Sequence, residues 1–282
     1  MDTPILSVVI PAFNGAETIE QTLSSVLSQS GVDFEVVISD QNSTDGMREK
    51  IEPFLADPRV RIIDGPEEPG AESNWNHVTQ AARGTFIKLL CQDDLILEGV
   101  LERQVRILET HPTVVLTACR RNVVSSTGRS ISKNRGLTSF RNVTPGRDAI
   151  AKVIKQGANV FGEPACVMMK REDLLAVGGW DASFPYVIDL DGYLKVLRRG
   201  DFAPDLETGA VFRVSPRQWS VALRARQASD FSGLMRKQIL INDPHIGRVS
   251  RAMGSTRAKW NEFRRRVLYF ALRRIDRNGF EL

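Results

Sequence analysis

Residues 5–40 read ILSVVIPAFNGAETIEQTLSSVLSQSGVDFEVVISD. The stretch begins and ends on apolar runs, ILSVVI at 5–10 and FEVVIS at 34–39. Neither run alternates polar with apolar residues, so each suits a strand buried on both faces, as in a parallel sheet. Between them Ile19, Leu23, Val26 and Leu27 fall at helical spacing, and Asn14 stands where a helix cap belongs. Strand, helix and strand in that order form the repeating unit of a doubly wound α/β sheet.

The same grammar continues outward. VRII at 60–63, FIKLL at 86–90 and VVLTA at 114–118 predict further strands, and Leu101, Val105 and Leu108 mark a helix between the last two. ACVMM at 165–169 predicts another strand, followed by a short helix ending near Gly178–Gly179 and a helix around 190–199. Residues 122–148 are polar and rich in Gly and Ser, which fits either a mobile loop or a small β-excursion. The expected fold is α/β: a Rossmann-like, mostly parallel central sheet flanked by helices, with a helical C-terminal tail.

The chain of 282 residues is 42% apolar and 26% charged, an ordinary globular composition. Cys91, Cys119 and Cys166 lack metal-ligand spacing and read as reduced, buried thiols, which points to the cytoplasm. The N-terminal stretch has no basic leader, and no segment approaches the roughly 20 apolar residues that span a bilayer. Charge is uneven. Residues 213–282 hold 16 of the 38 Lys and Arg but 5 of the 34 Asp and Glu, leaving 22 against 29 in residues 1–212. We therefore divide the chain into a body, 1–212, and a basic helical extension, 213–282. In the extension Trp260, Phe263, Val267 and Phe270 form one helical stripe. That stripe packs on the body or rests on an anionic membrane, here the inner membrane face. No recognised nucleic-acid-binding module accompanies the basic residues, so nucleic acid is not an expected partner.

In an open α/β sheet, ligands bind beyond the carboxyl ends of the strands. Pro11 to Asn14 follow the first strand, Asp40 to Asp45 the second, and Gln92, Asp93 and Asp94 the strand FIKLL. Two adjacent carboxylates cannot enter an apolar core unpaired. Either they open the next helix, or a cation at the rim offsets both.

The segments SVVIPAFNGAETIEQTLSSVLSQ, FEVVISDQNSTDG and ARGTFIKLLCQDD resemble the N-terminal half of the inverting family-two glycosyltransferases. GEPACVMMKREDLLAVGGWDASFPYVIDLDGYLKVLRRG is similar to that family's acceptor-side segment. The resemblance covers roughly residues 5 to 220. It implies a glycosyltransferase-A fold and transfer, with inversion, of a sugar from a nucleoside-diphosphate sugar to a hydroxyl. The products would be cell-surface polysaccharide or glycolipid, and the acceptor a glycan or lipid-linked one. It places Pro11, Ala12, Asn14, Asp40, Asn76 and Gln92 about the nucleotide. A carboxylate at Asp40 accepts from a base N–H, which favours a UDP-sugar, with GDP- and dTDP-sugars as alternatives.

The family's metal motif maps onto Cys91-Gln92-Asp93, so Cys91 stands where the first acidic residue is expected. Asp93 and Asp94 are the expected ligands of Mn²⁺ or Mg²⁺, with Gln92 offering an amide oxygen. Ser215 stands where the family often has a His, and Arg213 and Arg217 are candidates to take over phosphate binding. Trp75, Glu163 and Trp180 are expected about the donor sugar or acceptor, Trp75 otherwise in the core. Asp189 and Asp191 are the candidate catalytic carboxylates. Asp189 is the preferred base, because Asp191 has Lys195 at i+4. Two other readings remain open: a non-catalytic nucleotide- or sugar-binding module of this fold, and a sugar nucleotidyltransferase. PAFNGAETIE lacks the Gly-rich, basic loop of the latter.

Overall fold

The computed structural model describes residues 3–214, 223–240, 256–261 and 263. Ser215, Arg217, Val267 and Phe270 lie outside the described residues. The strands are β1 (Leu6–Ala12), β2 (Phe34–Asp40), β3 (Val60–Asp64), β4 (Phe86–Leu89), β5 (Leu95–Ile96), β6 (Val114–Ser125), β7 (Ser130–Arg135), β8 (Val167–Lys170) and β9 (Asp201–Val214). The helices are α1 (Ile19–Leu27), α2 (Met47–Ile51), α3 (Ala71–Ala81), α4 (Val100–Thr110), α5 (Gly146–Gln156), α6 (Arg171–Ala176), α7 (Ile188–Val196) and α8 (Gln227–Leu240).

One mixed sheet runs β3-β2-β1-β4-β8-β6-β9-β5, with β7 on β6. Its first four strands are parallel, and β8 runs against both β4 and β6. Every residue of β2 is buried, as the unbroken apolar run requires. Ile19, Leu23 and Val26 of α1 and Leu101, Val105 and Leu108 of α4 enter the core.

Parallel register fixes the rim. Ala12 pairs with Asp40 and Asp40 with Asp64, so β1, β2 and β3 end level. Leu90 donates to Val9 O at 2.9 Å, which brings the turn after β4 beside the turn after β1. Because β8 is antiparallel to β4, the residues preceding it, Glu163 to Cys166, reach the same edge.

The structure extends and corrects the sequence expectations. β6 continues to Ser125, seven residues beyond VVLTA, because β9 pairs along its whole length and β7 folds back on its end. Residues 122–148 are thus a β-excursion leading into α5, a helix the sequence reading did not anticipate. The expected boundary after residue 212 falls inside β9. Helix α8 packs back on the body through Phe231, Leu234 and Met235.

Candidate active site

The turn after β1 is held from three sides. Gln92 carries out two bonds at once: Phe13 N donates to its Oε1 at 2.8 Å, and its Nε2 donates to Phe13 O at 2.8 Å. Asn14 adopts a left-handed φ of 49°. Its N donates to Ser43 Oγ at 2.9 Å, and its Oδ1 accepts from Thr44 N at 2.9 Å. Asp45 accepts from Ala16 N at 2.8 Å. These bonds join the β1 and β2 turns into one ledge. Asn14 is therefore not the expected cap of α1, which begins five residues later at Ile19. Gln92, expected beside the nucleotide or metal, has its amide engaged by Phe13.

The clamp leaves the Phe13 ring 56% exposed at the mouth of the site. The sequence reading missed this residue, although an aromatic directly after a buried strand at the binding edge is a legible signal. Asp40 lies behind it, buried. One of its oxygens accepts from Ser43 N at 3.0 Å and the other meets Arg48 Nε at 3.2 Å. Arg48 also reaches Asp64 at 2.6 Å. A carboxylate has about four lone-pair positions, so Asp40 can still accept a further N–H.

Beyond β4 the acidic groups converge. Cys91 Sγ and one oxygen from each of Asp93 and Asp94 lie within 4.8 Å of one another. Asp94 is only 1% exposed, and its Oδ1 accepts from Arg213 N at 3.1 Å. This is a strand amide, not the helix opening anticipated as an alternative partner. Burial raises Asp93 to about 6. Burial, then the charge of Asp93, pushes Asp94 well above the usual carboxylate range. For Asp94 the cause is the one anticipated, like charges drawn out of water at one rim; for Asp93 it is burial alone. Two carboxylates and a thiol so disposed suit a divalent cation by number and spacing. The guanidinium of Arg213 contacts Gln21 Oε1 at 2.6 Å.

Asp189, in the first turn of α7, lies close enough for its charge to act on the Cys91 thiol. Asn159 Nδ2 donates to its Oδ2 at 2.8 Å, and Leu190 N donates to its Oδ1 at 2.7 Å. Burial raises Asp189 to about 7, the nearby charge of Glu163 adds to the rise, and these donors oppose it. Asn159 also accepts from Phe161 N and Gly162 N, so it shapes the turn that carries Glu163. Glu163 pairs with Arg121 of β6, whose Nη2 lies 3.1 Å from Glu163 Oε1.

Four expected site residues prove to be placed elsewhere. Asp191 is 1% exposed and bonds Lys195 at 2.6 Å, with Lys237 of α8 at 3.6 Å. One residue is about 100° of helical turn, so Asp191 points well away from Asp189 and into this cationic pocket. Trp75 and Trp180 are both buried and meet edge to face at 5.2 Å. The Trp180 indole also donates to Thr79 Oγ1 at 3.0 Å, so both rings belong to the core. Asn76 is tied to Trp180 twice, accepting from its N and donating to its O, both at 2.9 Å. Its amide braces the segment before α7 and is not directed at a nucleotide.

A family profile described as Glycosyl transferase family 2 matches residues 7–178, more than half of the chain. The chain belongs to this family. An uncharacterized protein of Mycobacterium tuberculosis is 32% identical over 202 residues, covering 70% of this chain and 63% of that protein. The Escherichia coli UDP-Glc:alpha-D-GlcNAc-diphosphoundecaprenol beta-1,3-glucosyltransferase WfgD is 32% identical over 108 residues, 38% of this chain and 42% of that one. The chain thus spans about two fifths to just under two thirds of these relatives.

The glycosyltransferase-A fold is shared with solved structures. S. aureus TarS 1-349 in complex with UDP-GlcNAc superposes at a TM-score of 0.65 with 16% identity, covering 83% of this chain and 65% of that one. The mannosyltransferase PcManGT of Pyrobaculum calidifontis, in complex with GDP-Man and Mn²⁺, gives 0.60 with 20% identity, covering 92% and 70%.

Proposed function

We propose that this family-two chain transfers a sugar, with inversion, from a nucleoside-diphosphate sugar to a hydroxyl of a glycan or lipid-linked acceptor. The observation that carries the reading is the nearness of two acidic groups: Cys91, Asp93 and Asp94 cluster after β4, and the charge of Asp189, at the start of α7, acts on the Cys91 thiol. A base poised near neutrality is what abstraction of a hydroxyl proton requires, and Asp189 lies at about 7. Asn159 orients that carboxylate. Asp40 accepts the base N–H of the donor, while the exposed Phe13 ring offers its face for stacking.

Asp93 and Asp94 are the residues that would hold a divalent cation. Bound there, Mn²⁺ or Mg²⁺ would offset the diphosphate's charge as it leaves. The names of WfgD and of the TarS complex, with their UDP-sugars and a diphosphoundecaprenol acceptor, favour a UDP-sugar and a lipid-linked acceptor here.

Among the described residues no helix is long and apolar enough to cross a membrane. We place contact with a lipid-linked acceptor at the inner membrane face, through the tail. Trp260 and Phe263 stack at 5.7 Å and are 59% and 56% exposed.

The test is nucleotide release from a panel of UDP-, GDP- and dTDP-sugars, with and without polyprenyl-diphosphate-linked acceptors. Acceptor-dependent release from one donor is expected. Saturable donor binding without release, under every acceptor and metal tried, would instead support a non-catalytic module.

A further inference from the structure

Resting on the glycosyltransferase reading, we propose that Cys91 is itself a ligand of the rim cation, and that its sulfur turns the site from Mg²⁺ toward thiophilic divalent ions such as Co²⁺ and Zn²⁺.

Three observations converge on it. The first is geometric. With metal–sulfur and metal–oxygen bonds of about 2.3 and 2.1 Å, neighbouring donors on a tetrahedral ion stand about 3.6 Å apart. Cys91 Sγ and the Asp93 and Asp94 oxygens already lie within 4.8 Å of one another, a spacing that side-chain rotation can close onto one ion.

The second observation removes the alternative ligand. Gln92 would be the obvious substitute for a missing carboxylate, but both ends of its amide are bonded to Phe13 at 2.8 Å. Recruiting its oxygen would release the β1 turn. Asp94 has given one oxygen to Arg213 N, so Cys91 is the third donor at hand.

The third is the setting. Cys91 is half-buried, packed on one side against the core and lying beside the charges of Asp94, Asp93, Asp189 and Glu163. A cation at the rim would relieve that concentration of negative charge.

Sulfur is a soft donor, and Mg²⁺ seeks near-octahedral oxygen at about 2.0–2.1 Å. Replacing one carboxylate with a thiol lowers the harder ion's share of the binding energy and raises that of Co²⁺ and Zn²⁺. On binding, the S–H bond breaks, the metal–sulfur bond forms and the proton leaves to solvent, so one proton is released per ion through Cys91.

The experiment titrates the full chain with Co²⁺ alone, following near-ultraviolet absorption for the sulfur-to-cobalt charge-transfer band and calorimetry for binding. Mg²⁺ is titrated in parallel. The wild type is expected to show the band at one equivalent and to bind Co²⁺ more tightly than Mg²⁺. Cys91→Ser is expected to lose the band and weaken Co²⁺ binding by roughly 10-fold or more. Cys91→Asp should lose the band and narrow the preference for Co²⁺ over Mg²⁺. Circular dichroism confirms that both variants fold. Calorimetric Co²⁺ binding without a band, or a band surviving in Cys91→Ser, overturns the proposal while leaving the transferase reading intact. Absence of any divalent binding also overturns it. Failure of the transferase reading appears separately, as donor binding without acceptor-dependent nucleotide release.

Discussion

Asn159 and Asp189 lie 30 residues apart in sequence and 2.8 Å apart in space, the amide of one holding the carboxylate of the other. The same Asn159 accepts the amides of Phe161 and Gly162. The carboxylate we propose as the base is thus oriented by a turn whose shape depends on the residue that orients it. Asp189→Asn should bind donor almost normally but transfer roughly 10² to 10⁴ times more slowly. Asn159→Ala should lower kcat by a smaller factor, with KM for donor little changed. Steady-state kinetics on both variants separate these outcomes, and full activity in Asp189→Asn would end the assignment.

The pH profile follows from the same pair. A base works in its ionised form, and burial pushes Asp189 up to about 7. The rate should rise with pH, with a midpoint near 7, and level off above it. The Asn159 bond favours the charged carboxylate, so its loss in Asn159→Ala should move the midpoint upward. A profile falling through pH 7, or a midpoint moving downward in the variant, contradicts this.

Asp191 should behave differently from Asp189. It is buried against Lys195 at 2.6 Å, and α8 reaches it through Lys237. Asp191→Asn removes the buried one of the two carboxylates that Lys195 and Lys237 share, leaving them Asp181 at 3.6 and 2.7 Å. We expect a loss of about 1–3 kcal/mol in denaturant stability. Transfer at low temperature should be largely retained. Loss of activity at unchanged stability would place the base at Asp191 instead.

How far these residues could be read beforehand depended on sequence distance. The places of Asp93 and Asp40 at the sheet's edge were legible because a strand's own hydrophobic run ends just before them and the binding edge of a parallel sheet is set by topology. Lys195 was legible as the partner of Asp191 because i, i+4 is a property of one helix. Asn159 carries no local signal at all, since its role comes from a turn folding against a distant helix. Trp75 was open between pocket and core because an aromatic reads alike in both, and its partner Trp180 is set by tertiary packing. Gln92 was misplaced for a related reason: its amide suits a ligand as well as a backbone 79 residues away. β6 was cut short because RRNVVS is polar, yet β9 pairs beside it and β7 folds back on its end, which sequence periodicity does not register.

Gln92 offers a test of the ledge. Its amide satisfies a donor and an acceptor of Phe13 together. Gln92→Glu keeps an acceptor for Phe13 N but sets a carboxylate against Phe13 O. Each lost bond is worth about 0.5–1.5 kcal/mol, and the turn it fixes carries the exposed Phe13 ring. Both Gln92→Ala and Gln92→Glu should raise KM for donor by roughly 3- to 10-fold per bond lost, with a smaller change in kcat. An effect on kcat alone would mean that the ledge does not position the donor.

The tail gives the last prediction. Residues 256–261 are fastened to the end of α5: Arg257 donates to Lys155 O at 3.0 Å, Asn261 donates to Gly157 O at 3.3 Å, and Ala258 is buried. The inward face is thus small and polar, while Trp260 and Phe263 stack outward. An outward aromatic pair within a segment carrying Arg257, Lys259, Arg264, Arg265 and Arg266 combines an apolar wedge with positive charge, the pairing that anionic interfaces attract. The protein should sediment with acidic liposomes at low salt and not with zwitterionic ones. Trp260→Ser combined with Phe263→Ser should reduce sedimentation several-fold while leaving transfer to a soluble acceptor analogue unchanged, because both rings are exposed to solvent and neither is among the residues placed about the donor or the base. Added salt should weaken the attraction, since the basic share is screened. Equal sedimentation of the double variant and the wild type would show that these rings do not meet the membrane.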